Sequence, residues 1–145
     1  MSGYNHAVII SDPCKCGFSF LGLKGRVKWA LIDINGTQIH YLDEGPRDAP
    51  AIVFSNSMFF DVTMFEKQAA AFADNYRVVR YDHRGQGGSA KAPRDKLDME
   101  ILADDTAALV EARGLQKCCF VGNSMGGFIA FRLAARRPAL VASAV

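Results

Sequence analysis

Three short apolar runs, Ala51–Ser55, Arg77–Tyr81 and Cys118–Val121, constrain this chain more than any other feature. They are continuous rather than alternating, as in strands buried on both faces of a parallel sheet. Between them the apolar period lengthens. Phe65, Ala69 and Phe72 recur at helical spacing within 63–73, and Ile101, Leu102, Leu109 and Val110 form a stripe within 98–113. Asp98 is the predicted N-cap of the second helix and Gly114 its C-cap. A third helix is predicted over 124–136, stopped by Pro138, and Leu140–Val145 begins another apolar strand. Upstream, Ala30–Ile34 and Gln38–Leu42 flank Asn35-Gly36, a strong hairpin turn. Strands alternating with helices predict an α/β chain, a mostly parallel sheet with helices on both faces. Ligand sites on such sheets lie at the carboxyl ends of the strands, so loops 56–62, 82–98 and 122–124 are the candidate functional edge.

The last of these loops contains Gly122-Asn123-Ser124-Met125-Gly126, a G-x-S-x-G pattern between an apolar run and a helix. Such a pattern suits a serine on a sharp strand-to-helix turn, with glycines where the backbone folds on itself. The hydroxyl is then exposed beside the first N–H groups of a helix, which favour a developing oxyanion. Ser124 is accordingly the candidate nucleophile, and the competing reading is a helix N-cap. The chain has an internal control: Asn-Ser-Met occurs at 56–58 as well as at 123–125. Ser57 is flanked by Ser55 and Phe59, not glycines, so the tight turn is not expected there.

With these pieces in place, residues 30–145 resemble the α/β-hydrolase superfamily. The resemblance is carried by the hairpin 35–41 with Asp43-Glu44-Gly45, by Asp82-His83-Arg84-Gly85-Gln86-Gly87-Gly88-Ser89, and by the Ser124 elbow. Phe54-Ser55-Asn56-Ser57-Met58 is most similar to the 3-oxoadipate enol-lactonase and serine esterase branch. The resemblance implies hydrolysis of a small-molecule ester or lactone, with no metal or organic cofactor. It implies an oxyanion hole from the backbone N–H groups of Met58 and Met125. Haloperoxidases and carbon–carbon bond hydrolases share the frame and remain alternatives, as does a non-catalytic truncated relative or binding protein. The family's strand order sets His83 two strands from the elbow, so it is read as part of a structural turn with Arg84, not as the base. His40 is expected to be an exposed structural histidine, and Asp104 and Asp105 to lie on a solvated helix face. The triad acid and histidine would follow Ser124, yet 125–145 contains no Asp, Glu or His. The expectation is therefore an N-terminal portion of a hydrolase domain over 29–145, after an irregular extension over 1–28, inactive and unstable by itself.

Composition narrows the remaining classes. A net charge of +2 over 145 residues, with scattered Lys and Arg, gives no nucleic-acid footprint. No stretch is long and apolar enough for a membrane span, and Val8-Ile9-Ile10 is too short for a signal core. Cys118-Cys119 reads as a pair of small buried hydrophobes, which points to a reduced, cytoplasmic setting. His6, Cys14 and Cys16 lack a fourth metal ligand and standard spacing.

Overall fold

A computed structural model describes residues 29–145. The expectations for His6, Cys14, Cys16 and the 1–28 extension lie outside the described residues. The hairpin comes first: β1 (Trp29–Ile34) and β2 (Thr37–Glu44) pair antiparallel, with Ile34 opposite Thr37. Asn35 and Gly36 both take positive φ, 46° and 69°, as a two-residue turn of matching twist requires. β3 (Ala51–Ser55), α1 (Glu66–Phe72), β4 (Arg77–Tyr81), α2 (Met99–Ala112), β5 (Cys118–Gly122), α3 (Met125–Arg136) and β6 (Val141–Ala144) follow. Short 3₁₀ turns at Arg94–Lys96 and Pro138–Leu140 precede α2 and β6.

The sheet order is β1-β2-β4-β3-β5-β6. β3 pairs parallel with both β4 and β5, and β5 pairs parallel with β6, so β3 is central and buried at every residue. One face packs Val53, Val79, Tyr81 and Phe120 against Leu102, Leu109 and Val110 of α2 and Ile129 and Leu133 of α3. Fully burying each such aliphatic side chain contributes about 1.5–3 kcal/mol. The other face packs Ile52, Phe54 and Val78 against Ala69 of α1, with the Phe65 ring stacked 4.9 Å from Phe54. Among the described residues no helix is long and apolar enough to cross a membrane.

Several expectations shift. The first helix begins at Glu66, not near 63, because Asp61 holds a tight turn: its Oδ1 accepts from the Thr63 amide at 2.9 Å and from the Thr63 hydroxyl at 2.6 Å. Phe72 is exposed and meets Tyr76 edge-on rather than joining the core. Asp98 caps α2 through the Ile101 amide at 2.8 Å, and Gly114 follows at φ 67°. Asp105 does not lie on a solvated face. It is buried and takes a bidentate fork from Arg84, with Nη2 at 2.7 Å from Oδ1 and Nε on Oδ2. Asp104 is exposed, as the helical period requires. The arginines inside the β4 run are also paired: Arg77 with Asp43, and Arg80 with Glu44 at 2.7 Å.

Candidate active site

Ser124 connects β5 to α3 with φ 52° and ψ −114°. Non-glycine residues avoid this conformation, at a strain on the order of 1–3 kcal/mol. Two close approaches impose it. A Cβ on Gly126 would fall 1.9 Å from the Ser55 carbonyl oxygen, and one on Gly122 would fall 2.4 Å from the Gly126 backbone. The elbow is thus pressed against the end of β3, and the Asn123 amide donates to the Ser55 carbonyl at 3.2 Å. The spacing G-x-S-x-G records these two contacts. A Cβ on Gly127 would meet its nearest neighbour only at 3.6 Å, so the third glycine is not required.

The Ser124 side chain makes no capping hydrogen bond, and the residue is exposed. The capping alternative therefore does not describe it. Met125, the first residue of α3, is buried, and its N–H lies in the turn that has no intrahelical acceptor. The helix dipole adds positive potential at that end.

The loop after β3 borders the same helix start: the Asn56 carbonyl oxygen lies 2.8 Å from a Cβ built on Gly126. Met58 sits here, exposed, in a Ser57–Phe60 turn closed by the Phe60 amide on the Ser57 carbonyl at 3.2 Å. Phe59 takes φ 68° at the third position of that turn. The Met58 amide occupies the second position, which the turn's own hydrogen bond does not use. The buried Asn56 side chain donates from Nδ2 to the carbonyls of Phe60 and Tyr81, both at 3.3 Å. This anchoring role was not legible in the sequence, because it depends on β4 lying beside β3.

His83 is buried, with its ring edge-on to Tyr81 at 4.8 Å. Its Nε2 lies 3.2 Å from the Asn56 carbonyl oxygen and 3.5 Å from Ser55 Oγ. A hydrogen-bond chain fixes the tautomer. Thr106 Oγ1 donates to the Leu102 carbonyl at 2.8 Å, so it accepts from the Tyr81 hydroxyl at 2.7 Å. Tyr81 then accepts from Ser55 Oγ at 3.0 Å, and Ser55 has no proton left for His83. His83 Nε2 must carry the hydrogen, as the Asn56 carbonyl independently requires. Burial pushes the imidazole down to about 4, against smaller upward effects from the Asn56 contact and from Asp82 and Asp105. Burial likewise pushes the Tyr81 hydroxyl up to about 12. His83 is therefore a neutral donor, and β3 separates its strand from the elbow strand.

His40 corrects the expectation of an exposed histidine. Its side chain is 16% exposed, and Nδ1 lies 2.7 Å from Asp82 Oδ2. Because β2 runs antiparallel to β4, His40 lies beside the carboxyl end of β4, where its carbonyl accepts from the Asp82 amide at 2.9 Å. Two histidines, His40 and His83, thus lie at this edge. Asp82 also accepts from the amides of Val62 at 2.7 Å and Gly88 at 2.8 Å, which ties together the loops after β3 and β4. An open depression of about 910 Å³, lined by Asn35, Lys91, Asp104 and Arg137 among others, includes none of Ser124, Met58 and Met125.

Comparison with known proteins agrees with this architecture. The family described as the alpha/beta hydrolase fold matches residues 50–145. A 3-oxoadipate enol-lactonase from Acinetobacter baylyi is 43% identical over 89 residues, 61% of this chain and 33% of that protein. A non-heme chloroperoxidase from Streptomyces lividans is 39% identical over 113 residues, 77% of this chain and 41% of that protein. The crystal structure of an enol-lactonase from Burkholderia xenovorans superposes with a TM-score of 0.72 at 39% identity, covering 77% of this chain and 43% of that one. The chain thus spans well under half the length of these relatives. The family match covers most of the sequence and includes the strained, glycine-locked serine, and the chain belongs to the α/β-hydrolase fold family.

Proposed function

We propose that Ser124 is the nucleophile of a serine hydrolase that cleaves small carboxylic esters or lactones, resembling the 3-oxoadipate enol-lactonases. The observation that carries this reading is the exposed, uncapped Ser124 at φ 52°, locked by Gly122 and Gly126. Strain at an exposed side chain with no structural hydrogen bond is the mark of a residue placed for chemistry. Ser124 Oγ attacks the ester carbonyl carbon while a general base takes its proton. The amides of Met58 and Met125 receive the charge that develops on the carbonyl oxygen. The ester C–O bond then breaks, the leaving alkoxide takes the proton from the base, and water hydrolyses the acyl-serine.

Neither described histidine suits the role of base. His40 lies on β2, with β4 and β3 between it and the elbow strand, and His83 is buried after β4 with its Nε2 hydrogen committed to the Asn56 carbonyl. The chain spans only 33–41% of these relatives, and base and acid are assigned outside the described residues, so residues 29–145 alone are expected to turn over little ester. A second reading is favoured by a relative named bifunctional esterase/perhydrolase, from Acinetobacter calcoaceticus, at 42% identity over 94 residues. In it hydrogen peroxide replaces water at the same acyl-serine. We place the protein in the cytoplasm, supported by the free thiols of Cys118 and Cys119.

The test expresses the complete reading frame carrying these residues and follows hydrolysis of lactones and p-nitrophenyl esters, with and without peroxide. Ser124→Ala is expected to lower kcat by at least about a thousandfold, as loss of a nucleophile does. A fluorophosphonate is expected to label the native protein at Ser124. Undiminished turnover in Ser124→Ala would sink the assignment, and an unlabelled native protein would favour a non-catalytic relative.

A further inference from the structure

The loop after β3 is held at each end by groups from the end of β4. At one end the Asn56 carbonyl accepts from His83 Nε2 at 3.2 Å, while the Asn56 side chain reaches Tyr81 and Phe60. At the other, the Val62 amide donates to Asp82 at 2.7 Å, and its carbonyl accepts from Arg80 Nη1 at 2.8 Å. Between these anchors the peptide groups are used up in order. The Asn56 carbonyl is taken by His83, the Ser57 amide by Met64 Sδ at 3.4 Å, and the Ser57 carbonyl by the Phe60 amide at 3.2 Å. The next group, the Met58 N–H, has no acceptor among the described residues. Two consecutive peptide planes are thus fixed by three hydrogen bonds, and the fourth polar group is the one left to receive charge.

We propose that His83 is a positioning residue for the oxyanion hole, and that it sets the direction of the Met58 N–H by holding the Asn56 carbonyl. This rests on the reading of Ser124 and Met58 given above. The imidazole acts as a fixed N–H donor and takes no part in proton transfer. Its Nε2–H polarity is enforced from behind by the Leu102–Thr106–Tyr81–Ser55 chain, so the ring has one orientation that satisfies both neighbours. A donor misaimed by about 1 Å loses most of its effect, which sets the expected scale.

The experiment compares His83→Leu, which removes the donor, with His83→Gln, whose side-chain amide replaces Nε2–H, in the complete enzyme. His83→Leu is expected to lower kcat by roughly 10- to 100-fold with KM within about twofold. Its affinity for a trifluoromethyl ketone, which forms an oxyanion on the serine, should fall in proportion. His83→Gln should recover kcat to within about fivefold and keep the native pH profile. Wild-type kcat in His83→Leu would overturn the proposal. So would equal losses in both variants that track their thermal stability, the sign of a structural role only. Complete inactivity of a folded His83→Gln would also overturn it, by making His83 the base. Ser124→Ala, run alongside, separates the two levels: if it is inactive while His83→Leu is normal, only the positioning role fails.

Discussion

Gly126 and Gly127 are adjacent and look interchangeable in the sequence, but their surroundings differ. The Ser55 carbonyl leaves no room for a Cβ at Gly126, whereas Gly127 has ordinary van der Waals space inside α3. Gly126→Ala is expected to displace the elbow and destabilise the fold by at least about 1–3 kcal/mol, the usual range for overpacking. Gly127→Ala should be neutral or stabilising by up to about 1 kcal/mol, because alanine is the better helix former. Urea midpoints of the two variants check the contrast. His83 makes a prediction of a different kind. Its folded value near 4 lies below the ordinary 6.5, so between these limits the unfolded chain binds a proton that the folded chain does not. Stability is complete above about pH 6.5, falls by about 3 kcal/mol as the pH drops to 4, and loses no more from this group below that. His83→Gln should flatten the pH 4–6.5 segment of a urea-denaturation series. An unchanged slope would refute the assignment.

Between elements, ion pairs of similar appearance carry different weight according to burial. Arg84 and Asp105 join the loop after β4 to α2 with both side chains under a tenth exposed. Glu100 on α2 meets Arg132 and Arg136 of α3 with all three side chains about half exposed. Asp105→Ala leaves a buried guanidinium unpaired and is expected to cost about 3–5 kcal/mol. Glu100→Ala should cost less than about 1 kcal/mol, because solvent already screens the pair. Chemical denaturation of the two variants tests the ranking, and an equal loss would contradict it. Asp43 is the comparable node at the other end of β4, where it meets Arg47, Arg77 and Arg113. Burial raises its carboxyl, but the Arg77 and Arg113 hydrogen bonds and the Arg77 and Arg47 charges outweigh that and hold it below the usual range. Its contribution is therefore present above the ordinary carboxylate value and is lost as pH falls through the lower folded one.

At the scale of the whole molecule, β6 pairs with β5 on one side only among the described residues, and Phe128 and Phe131 of α3 are 67% and 62% exposed. Cys119 and Val121 are only partly covered on the α1 face of the sheet. An unpaired strand edge and exposed aromatic side chains each favour self-association. The isolated 145-residue chain is expected to associate or precipitate at micromolar concentration in size-exclusion chromatography. A monodisperse monomer with one sharp thermal transition would contradict this.

The sequence alone determined which segments are strands and helices. Continuous apolar runs, the helical stripe of α2, Asn35-Gly36 and Asp98 are local signals, and local physics was enough to read them. It also singled out Ser124, since the two glycines of a tight turn are visible as spacing. What the local signals missed were the partners. Phe72 looked like core by period, but it is the last residue of α1 and lies exposed against Tyr76. Asp105 looked solvated until Arg84, 21 residues away in the chain, was brought under α2. His40 looked exposed because strand alternation says which face a residue takes, not which neighbouring strand lies alongside. The clamp on Asn56 could not be read either, because its donor, His83, reaches it only when β4 is laid beside β3. Periodicity is written in neighbouring residues, whereas hydrogen-bond partners far apart in the chain are chosen by strand order, which is a property of the folded sheet.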